Sequence, residues 1–415
     1  MTLPKSTPPD NILRLAIQDE WDCVVWYGEG ELTSGGISGW QKWSTYEVDW
    51  GAEDVWMPSQ NEGDVSLCAS KSSGDRHLIW LSLKVDSDFW YVMYQKSTDG
   101  GVTWSNPVAL AEEYYISCLR IQGASNGYLF VSYFMYQDDL DDEWVRVLRS
   151  TDRGSTWTQV ADLGAEWERQ DLQIDSNDRI YVTAMKADDN DNIGCWTWYS
   201  DDYGSSWQGP YNLTPLPPVE EGGDIDGWSM KTELDSQGIL HVICKSDDRL
   251  PVHYNWNGVE GEGPHQIHTK EFSFFSHVPT FTLDGDEIFA FWFDHALYDE
   301  SDVHKVWYSH SPDRGVTWDV NHALEEEALW NDWGLVEGDQ GSPACLFYSD
   351  LVCYIMSASD TDLKDPTGIY AYISDDGGST WIDSHLDSDL DSEWLQPAVA
   401  TYFTSQQACT YFLLA

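Results

Sequence analysis

Apolar residues in this chain come in short bursts, either alternating with polar ones or running unbroken for a few positions, with acidic or glycine-rich connections between them. Runs such as HLIWLSL from His77 and YVMYQKS from Tyr91 are aromatic and β-branched, as expected of strands buried on one or both faces. No stretch carries the 3.6-residue period of an amphipathic helix. The pattern predicts an all-β protein.

Five near-identical polar boxes punctuate the strands: STDGGVTW at Ser97, STDRGSTW at Ser150, SDDYGSSW at Ser200, SPDRGVTW at Ser311 and SDDGGSTW at Ser374. Each follows a run suited to an inner strand at nearly constant spacing, 32 residues from Val65, 35 from Tyr115, 31 from Arg169, 34 from His277 and 33 from Gly341. The module is therefore two strands, a third, the box, and a fourth. An unboxed module, WSMKTELDSQGILHVICKSDD followed by PVHYNWNG, fills the double-length gap between Ser200 and Ser311. One more is expected to be split, with LQPAVATYF and ACTYFLLA supplying two strands at the C-terminus, and CVVWYG and ISGWQKWSTYEV supplying two near the N-terminus. The expectation is a seven-bladed β-propeller of four-stranded antiparallel blades, a single domain over residues 1–415. Six blades is the alternative if the N-terminal strands lie outside the ring. Joining both termini in one blade would protect edges that an open array exposes.

Within a box, the carboxylate of Asp99, Asp152, Asp202, Asp313 or Asp376 can accept N–H groups of its own turn. The glycine two positions on permits positive φ. The opening serine bonds across the turn, and the closing tryptophan buries its ring while its N–H finds a partner. The box thus reads as a hairpin lock rather than a ligand shell, since one carboxylate and a few hydroxyls are too sparse for a cation.

Composition narrows the function. Acidic residues number 72 against 21 basic ones, a formal net charge of -51. That excludes a phosphate-tracking surface and disfavours anionic membranes, so no nucleic acid and no membrane insertion is expected. The repulsion would be screened in a saline environment. No run is long and apolar enough to span a bilayer. MTLPKSTPPD has no signal core, so the location expected is cytoplasmic unless a leader was removed, in which case extracellular or cell-surface. The eight cysteines mostly sit in strand-like runs such as SLCAS and ISCLRI, which favours buried thiols over bridges.

The pattern S-x-D-x-G-x-[TS]-W resembles the Asp-box, or BNR repeat, of the sialidase superfamily. The resemblance implies that the boxes occupy the rim away from the active face. The site would then be formed by loops entering each innermost strand and loops joining second to third strands. Carried onto this chain, it points to the segments around Val219, Lys186, Lys245, His277, Asp294 and Val336. Candidate catalytic residues are Glu220, Glu221, Asp224, Asp294, His277 and Arg249. A hydrolase needs two carboxyls about 5 to 9.5 Å apart, for which Asp226 and Asp339 are also placed. A lyase needs a Tyr or His base beside a cation, for which His277, His295, Tyr298, Lys245 and Arg249 qualify. Sialidases also carry an arginine triad, a Tyr–Glu nucleophilic pair and an Asp acid or base. Here Arg14, Arg169 and Arg249 would make at best a loose triad, and an anionic sugar would require local positive charge to overcome the global field.

The partner expected is a glycan or polysaccharide, with a rigid protein-docking scaffold as the rival and a monomer as the working state. No cofactor is required by this reading. The acidic runs DDLDDE from Asp138 and DDNDN from Asp188 are candidates for structural calcium, and Asp294–His295 or His265 with His268 for a metal. Trp292, within a strand, reads as blade packing; Trp228, Phe275 and Trp333 are candidate sugar-stacking rings.

Overall fold

The computed structural model describes residues 12–19, 24–33, 35–47, 56–58, 65–70, 73–84, 87, 89–137, 142–165, 167–187, 193–214, 230–245, 251–267, 279–295, 303–319, 322–324, 330–331, 344–348, 351–358, 368–387, 395–400 and 402–403. Among the described residues strands alone make up the regular structure, in seven sheets that share a four-stranded antiparallel spine. Named from the innermost strand outward, blade 2 is Val65–Ser70, Arg76–Lys84, Trp90–Ser97 and Val108–Glu113. Blade 3 is Tyr115–Gly123, Leu129–Gln137, Asp142–Ser150 and Thr158–Ala165. Blade 4 is Glu168–Ile174, Ile180–Ala187, Ile193–Ser200 and Gln208–Asn212. Blade 5, the unboxed one, is Met230–Leu234, Leu240–Lys245, Pro251–Trp256 and Gly261–Gln266. Blade 6 is Thr280–Asp284, Glu287–His295, Val303–Ser311 and His322–Ala323. Blade 7 is Ala344–Tyr348, Leu351–Ala358, Gly368–Ser374 and Ile382–Asp387.

Blade 1 is split, but unequally. The C-terminus contributes only the innermost strand, Leu395–Ala400, and the N-terminus contributes the other three, Ile12–Asp19, Val24–Thr33 and Gly36–Glu47. The expected two-and-two division is thus corrected; ACTYFLLA lies outside the described residues. Tyr402–Phe403 does not continue the blade but pairs parallel with Ala69 and Ser70 of blade 2. Each innermost strand contacts the next, and Leu395–Ala400 touches its counterparts in blades 7 and 2, so seven strands close a ring.

The core lies between blades. Cys68, Ile79 and Val92 of blade 2 pack on Leu119, Val131 and Tyr133 of blade 3, and the same arrangement recurs around the ring. Trp292 is one of the fully buried side chains, as its place in a strand predicts. The six described cysteines are buried free thiols.

All five boxes adopt one geometry. The serine hydroxyl donates to the carboxylate at 2.8 to 3.0 Å and accepts the box glycine N–H at 2.7 or 2.8 Å. The N–H and hydroxyl of residue 103, 156, 206, 317 or 380 donate one to each carboxylate oxygen, and Asp152 Oδ1 also accepts the Ser155 N–H at 3.0 Å. These bonds hold the carboxyls of Asp99 and Asp152 down to about 2, the threonine hydroxyl contributing most. The indoles of Trp104 and Trp318 donate to the carbonyls of Gly101 and Gly315 at 3.0 and 2.9 Å; Trp157 instead sets its ring edge-on to Tyr94. Ser150 is wholly buried, so Ser150→Ala should cost about 1–2 kcal/mol by stranding the Gly154 N–H. A urea midpoint lowered at constant m-value checks this.

The glycine also serves a second purpose. A Cβ at Gly101, Gly154, Gly315 or Gly378 would overlap the ring of Tyr27, Tyr94, His253 or Phe289, each from the preceding blade. The box is therefore a socket between blades as well as a turn. In blade 5, Trp256 pairs with Leu240 at the register position that box serines hold elsewhere, as in Ser200 opposite Ile180. Its buried indole stacks on Tyr211 (5.6 Å, 29°) and meets Tyr181 edge-on, so a ring fills the space that a socket would leave.

Candidate functional site

The boxes define one rim. The opposite, open rim carries the starts of the innermost strands and the second-to-third connections. Sequence-predicted residues fall mostly there by chain position. Glu220, Glu221 and Asp224 precede the inner strand of blade 5, Arg249 joins its second and third strands, and His277 precedes the inner strand of blade 6; all five lie outside the described residues. So do Asp226, Asp339 and Tyr298, and the acidic residues 138–141 and 188–192. Asp294 and His295 close the second strand of blade 6, paired with Lys305 and His304, and their side chains lie outside the described set.

Arg14 is not at the open rim. It pairs with Ala400 toward the box end of blade 1, is buried, and its Nε stands 3.6 Å from Glu29. A channel-face triad cannot include it.

The described wall of the channel is a polar girdle threaded through apolar strands. In blades 3 and 4, Leu119 and Ile121 alternate with Arg120 and Gln122, and Leu172 and Ile174 with Asp171 and Gln173. The first of each pair joins the core while the polar partners link blades. Arg120 Nε donates to Asp171 Oδ1 at 2.9 Å, and Asp171 Oδ2 accepts from the N–H and hydroxyl of Thr232 in blade 5, both at 2.9 Å. One step toward the box rim, Gln122 Nε2 donates to Gln173 Oε1 at 3.3 Å and Gln173 Nε2 to the Thr232 carbonyl at 2.7 Å. Ser66 of blade 2 accepts the Ile121 N–H at 2.9 Å, and Thr280 of blade 6 meets Cys345 Sγ of blade 7 at 3.6 Å. Both partners of the Arg120–Asp171 pair are nearly inaccessible to solvent. An ion pair so placed specifies geometry more than it adds stability, because desolvation offsets much of the attraction.

Toward the open rim the girdle turns cationic. Arg169 and Lys231, each the second residue of its inner strand, are buried. Burial, then the like charge of Arg120 with a further push from Arg169, brings the Lys231 ammonium down to about 7 against the opposing pull of Asp171. Glu233, on the same strand, is pushed well up by burial and by Asp171, while the Leu283 N–H opposes the shift. Neither Glu233 oxygen has a hydrogen-bond partner of ordinary geometry among the described residues. Cys118 adopts φ of 56° where the pairing of blade 3 shifts register, and its carbonyl accepts from the Gln170 amide. The wall thus combines an ion-paired arginine and carboxylate, a second arginine, a lysine brought down to about 7 and a carboxyl held toward its neutral form. Among the described residues no group of three or more His, Cys, Asp or Glu is placed to hold a metal ion.

Of the girdle, sequence reasoning picked out Arg169 and missed Arg120, Asp171, Lys231 and Glu233. Their signal was present, since polar residues at every second position of RQDLQI and MKTEL are out of place in strands buried on both faces.

No family model and no curated protein matches the sequence. Solved structures do. An ulvan lyase, described as a new family of polysaccharide lyase, is 14% identical with TM-score 0.52, covering 93% of this chain and 94% of that one. The BP39L lectin of Burkholderia pseudomallei is 11% identical with TM-score 0.51, covering 91% and 99%. A sialidase of Trypanosoma rangeli is 13% identical with TM-score 0.48, covering 74% of this chain and 53% of that one. What is shared at these identities is the fold. The class defined by the seven blades and five boxes is the seven-bladed β-propeller whose blades are locked by Asp-box turns.

Proposed function

We propose that this propeller binds a carbohydrate at the open-rim mouth of its central channel, and that the unit engaged there carries an acidic group. The observation behind this reading is the gathering of Arg120, Arg169 and Lys231 on three adjacent inner strands of a chain with net charge -51. Basic residues are scarce, and charge concentrated in a low-dielectric wall acts strongly on a carboxylate or sulfate. The segments bearing Glu220, Glu221, Asp224, Arg249 and His277 enter the same rim by chain position and complete the proposed site, together with Asp294.

Binding of polygalacturonate, followed by affinity electrophoresis, should weaken about tenfold in Arg169→Ala, the loss of one charge-assisted contact. It should also tighten as pH falls from 8 to 6, because Lys231 gains its proton near 7. Migration unchanged by polygalacturonate, sulfated polysaccharide and sialylated glycan alike would remove this reading.

A catalytic version is favoured by one feature, the presence of wall cations together with a carboxyl, Glu233, held toward neutrality by burial on the same strand as Lys231. Cations that neutralise a uronate carboxylate are what β-elimination requires. Release of unsaturated ends from a uronate polymer, compared with release of reducing ends alone, separates lyase from hydrolase.

A further inference from the structure

The four ring-filled sockets between blades are not equivalent. Three receive Tyr27, Tyr94 or Phe289, rings that gain no charge in mild acid, and the fourth, at Gly315 between blades 5 and 6, receives the imidazole of His253. That ring is wholly buried. It lies in a pile of three histidines on the face that blade 5 turns toward blade 6. His241 stacks on it at 5.1 Å and 24°, His265 at 5.8 Å and 29°, and Trp318 of the blade 6 box meets it edge-on. His241 is buried as well, and His265, on the outer strand, is half-buried.

The pile has little capacity for protons. His241 Nδ1 lies 2.9 Å from His253 Nε2, a contact that accommodates one proton; with both rings charged, each would present an N–H to the other. The nearest carboxylate serves the other ring. Asp235 Oδ2 stands 3.7 Å from His241 Nε2 and 3.6 Å from Arg314 of blade 6, and Arg314 also donates to Asp286. Asp313, in the blade 6 box, acts on His265, with its oxygens already accepting from Ser311 and Thr317. Glu233, opposite His241 in register, is held toward its neutral form.

We infer that the seam between blades 5 and 6 is an acid-operated joint, in which charging this pile drives the His253 ring out of the Gly315 socket and parts the box-rim half of the seam before the rest of the ring loosens. Two contacts across the seam are released together. The imidazole leaves the socket, and a proton on His241 competes with Arg314 for the same Asp235 oxygen. Toward the open rim Ile243 and Ile267 pack with Phe281 and Leu283, an apolar closure that protons leave intact. While the seam is closed, burial, then His241 and His265, keep His253 neutral against its contact with Gly315; once open, the ring returns to its ordinary value near 6.5. The opening constant therefore rises about tenfold per pH unit below about 6.5 for each imidazole that is neutral only in the closed seam. The joint is independent of what the open rim binds.

Hydrogen–deuterium exchange of the whole chain, read by mass spectrometry at about pH 7.5 and 5.5 and corrected for the chemical exchange rate, tests it by comparing two boxes of one geometry. Residues 311–318, whose socket holds His253, should lose protection about tenfold or more between the two conditions. Residues 97–104, whose socket holds Tyr27, should keep theirs. His253→Phe supplies the kind of ring that fits the Gly378 socket and cannot be charged, so it should abolish the response at 311–318. The comparison of the two boxes needs only the unaltered chain and stands even if that variant folds poorly. An equal response at both boxes, a response at neither, or an undiminished response in His253→Phe would overturn the joint.

Discussion

Gly154→Ala will lower the stability of this propeller by about 2–5 kcal/mol, roughly two to three times the effect of the same change at Gly100. Both glycines adopt φ near +80°, where an L-residue costs roughly 1–2 kcal/mol. At Gly100 nothing lies within 4 Å of an added Cβ, so that backbone cost is all. At Gly154 the methyl would overlap the Tyr94 hydroxyl, and overpacking adds typically 1–3 kcal/mol. Tyr94 has little room to move. Its hydroxyl lies 2.8 Å from His77 Nδ1, its ring lies against Trp157, and it is 2% exposed. Urea unfolding of the two variants measures the difference, and equal midpoints would show that the box is a turn and not a socket.

Acid will destabilise the fold from about pH 6.5 downward, well above the range in which the boxes themselves titrate. Burial, with the charges of Lys96, Arg76 and Arg153, brings the His77 imidazole down to about 3. His253 is also driven well down, first by burial and then by His241 and His265, against a single favourable contact at Gly315. His253 is stacked between those two histidines, with Nε2 2.9 Å from His241 Nδ1, and Trp318 lies edge-on to it. The unfolded chain takes up protons below about 6.5 while the native imidazoles stay neutral. Stability is therefore intact above that pH and falls by about 1.4 kcal/mol per unit for each such group, for His77 until about 3. At pH 5 His77 alone removes about 2 kcal/mol, and His253 acts in the same direction. Below about 4 the box carboxylates begin to lose their contribution as well, through about 2 for Asp99 and Asp152.

The large negative charge works the other way, since acid relieves self-repulsion, so the measurement belongs in about 1 M salt, where the Debye length is about 3 Å. His77→Gln keeps a polar group beside Tyr94 and removes the titration. A profile between pH 6.5 and 4 as steep in that variant as in the parent would contradict the assignment.

Blade number was legible because a turn lock recurs at fixed spacing, and a lock between third and fourth strands implies the two strands before it. The split blade has no box. Its outer hairpin is formed around Gly35 and Gly36 instead, and without the marker ILRLAIQD did not register as a strand in its own right. That is why three N-terminal strands were read as two. Trp256 was harder still, because a ring in place of a serine cancels the motif while preserving the packing. The site was legible only by segment. Rules for loops name the rim, but Lys231 and Arg120 are strand residues, and a strand residue reveals its role only when register shows which neighbour it faces. In an acid-rich chain single carboxylates carry little information, whereas the few cations draw attention once register groups them on neighbouring inner strands.

The three-plus-one construction of blade 1 has a consequence for how the molecule comes into being. Its Ile12–Asp19, Val24–Thr33 and Gly36–Glu47 strands are translated before the segment that completes their sheet, Leu395–Ala400, and until then one edge is unsatisfied. Pairing over that span carries a loop-closure cost that local hairpins do not. The unfinished sheet is therefore the nascent chain's exposed template for mispairing until Leu395–Ala400 is in place.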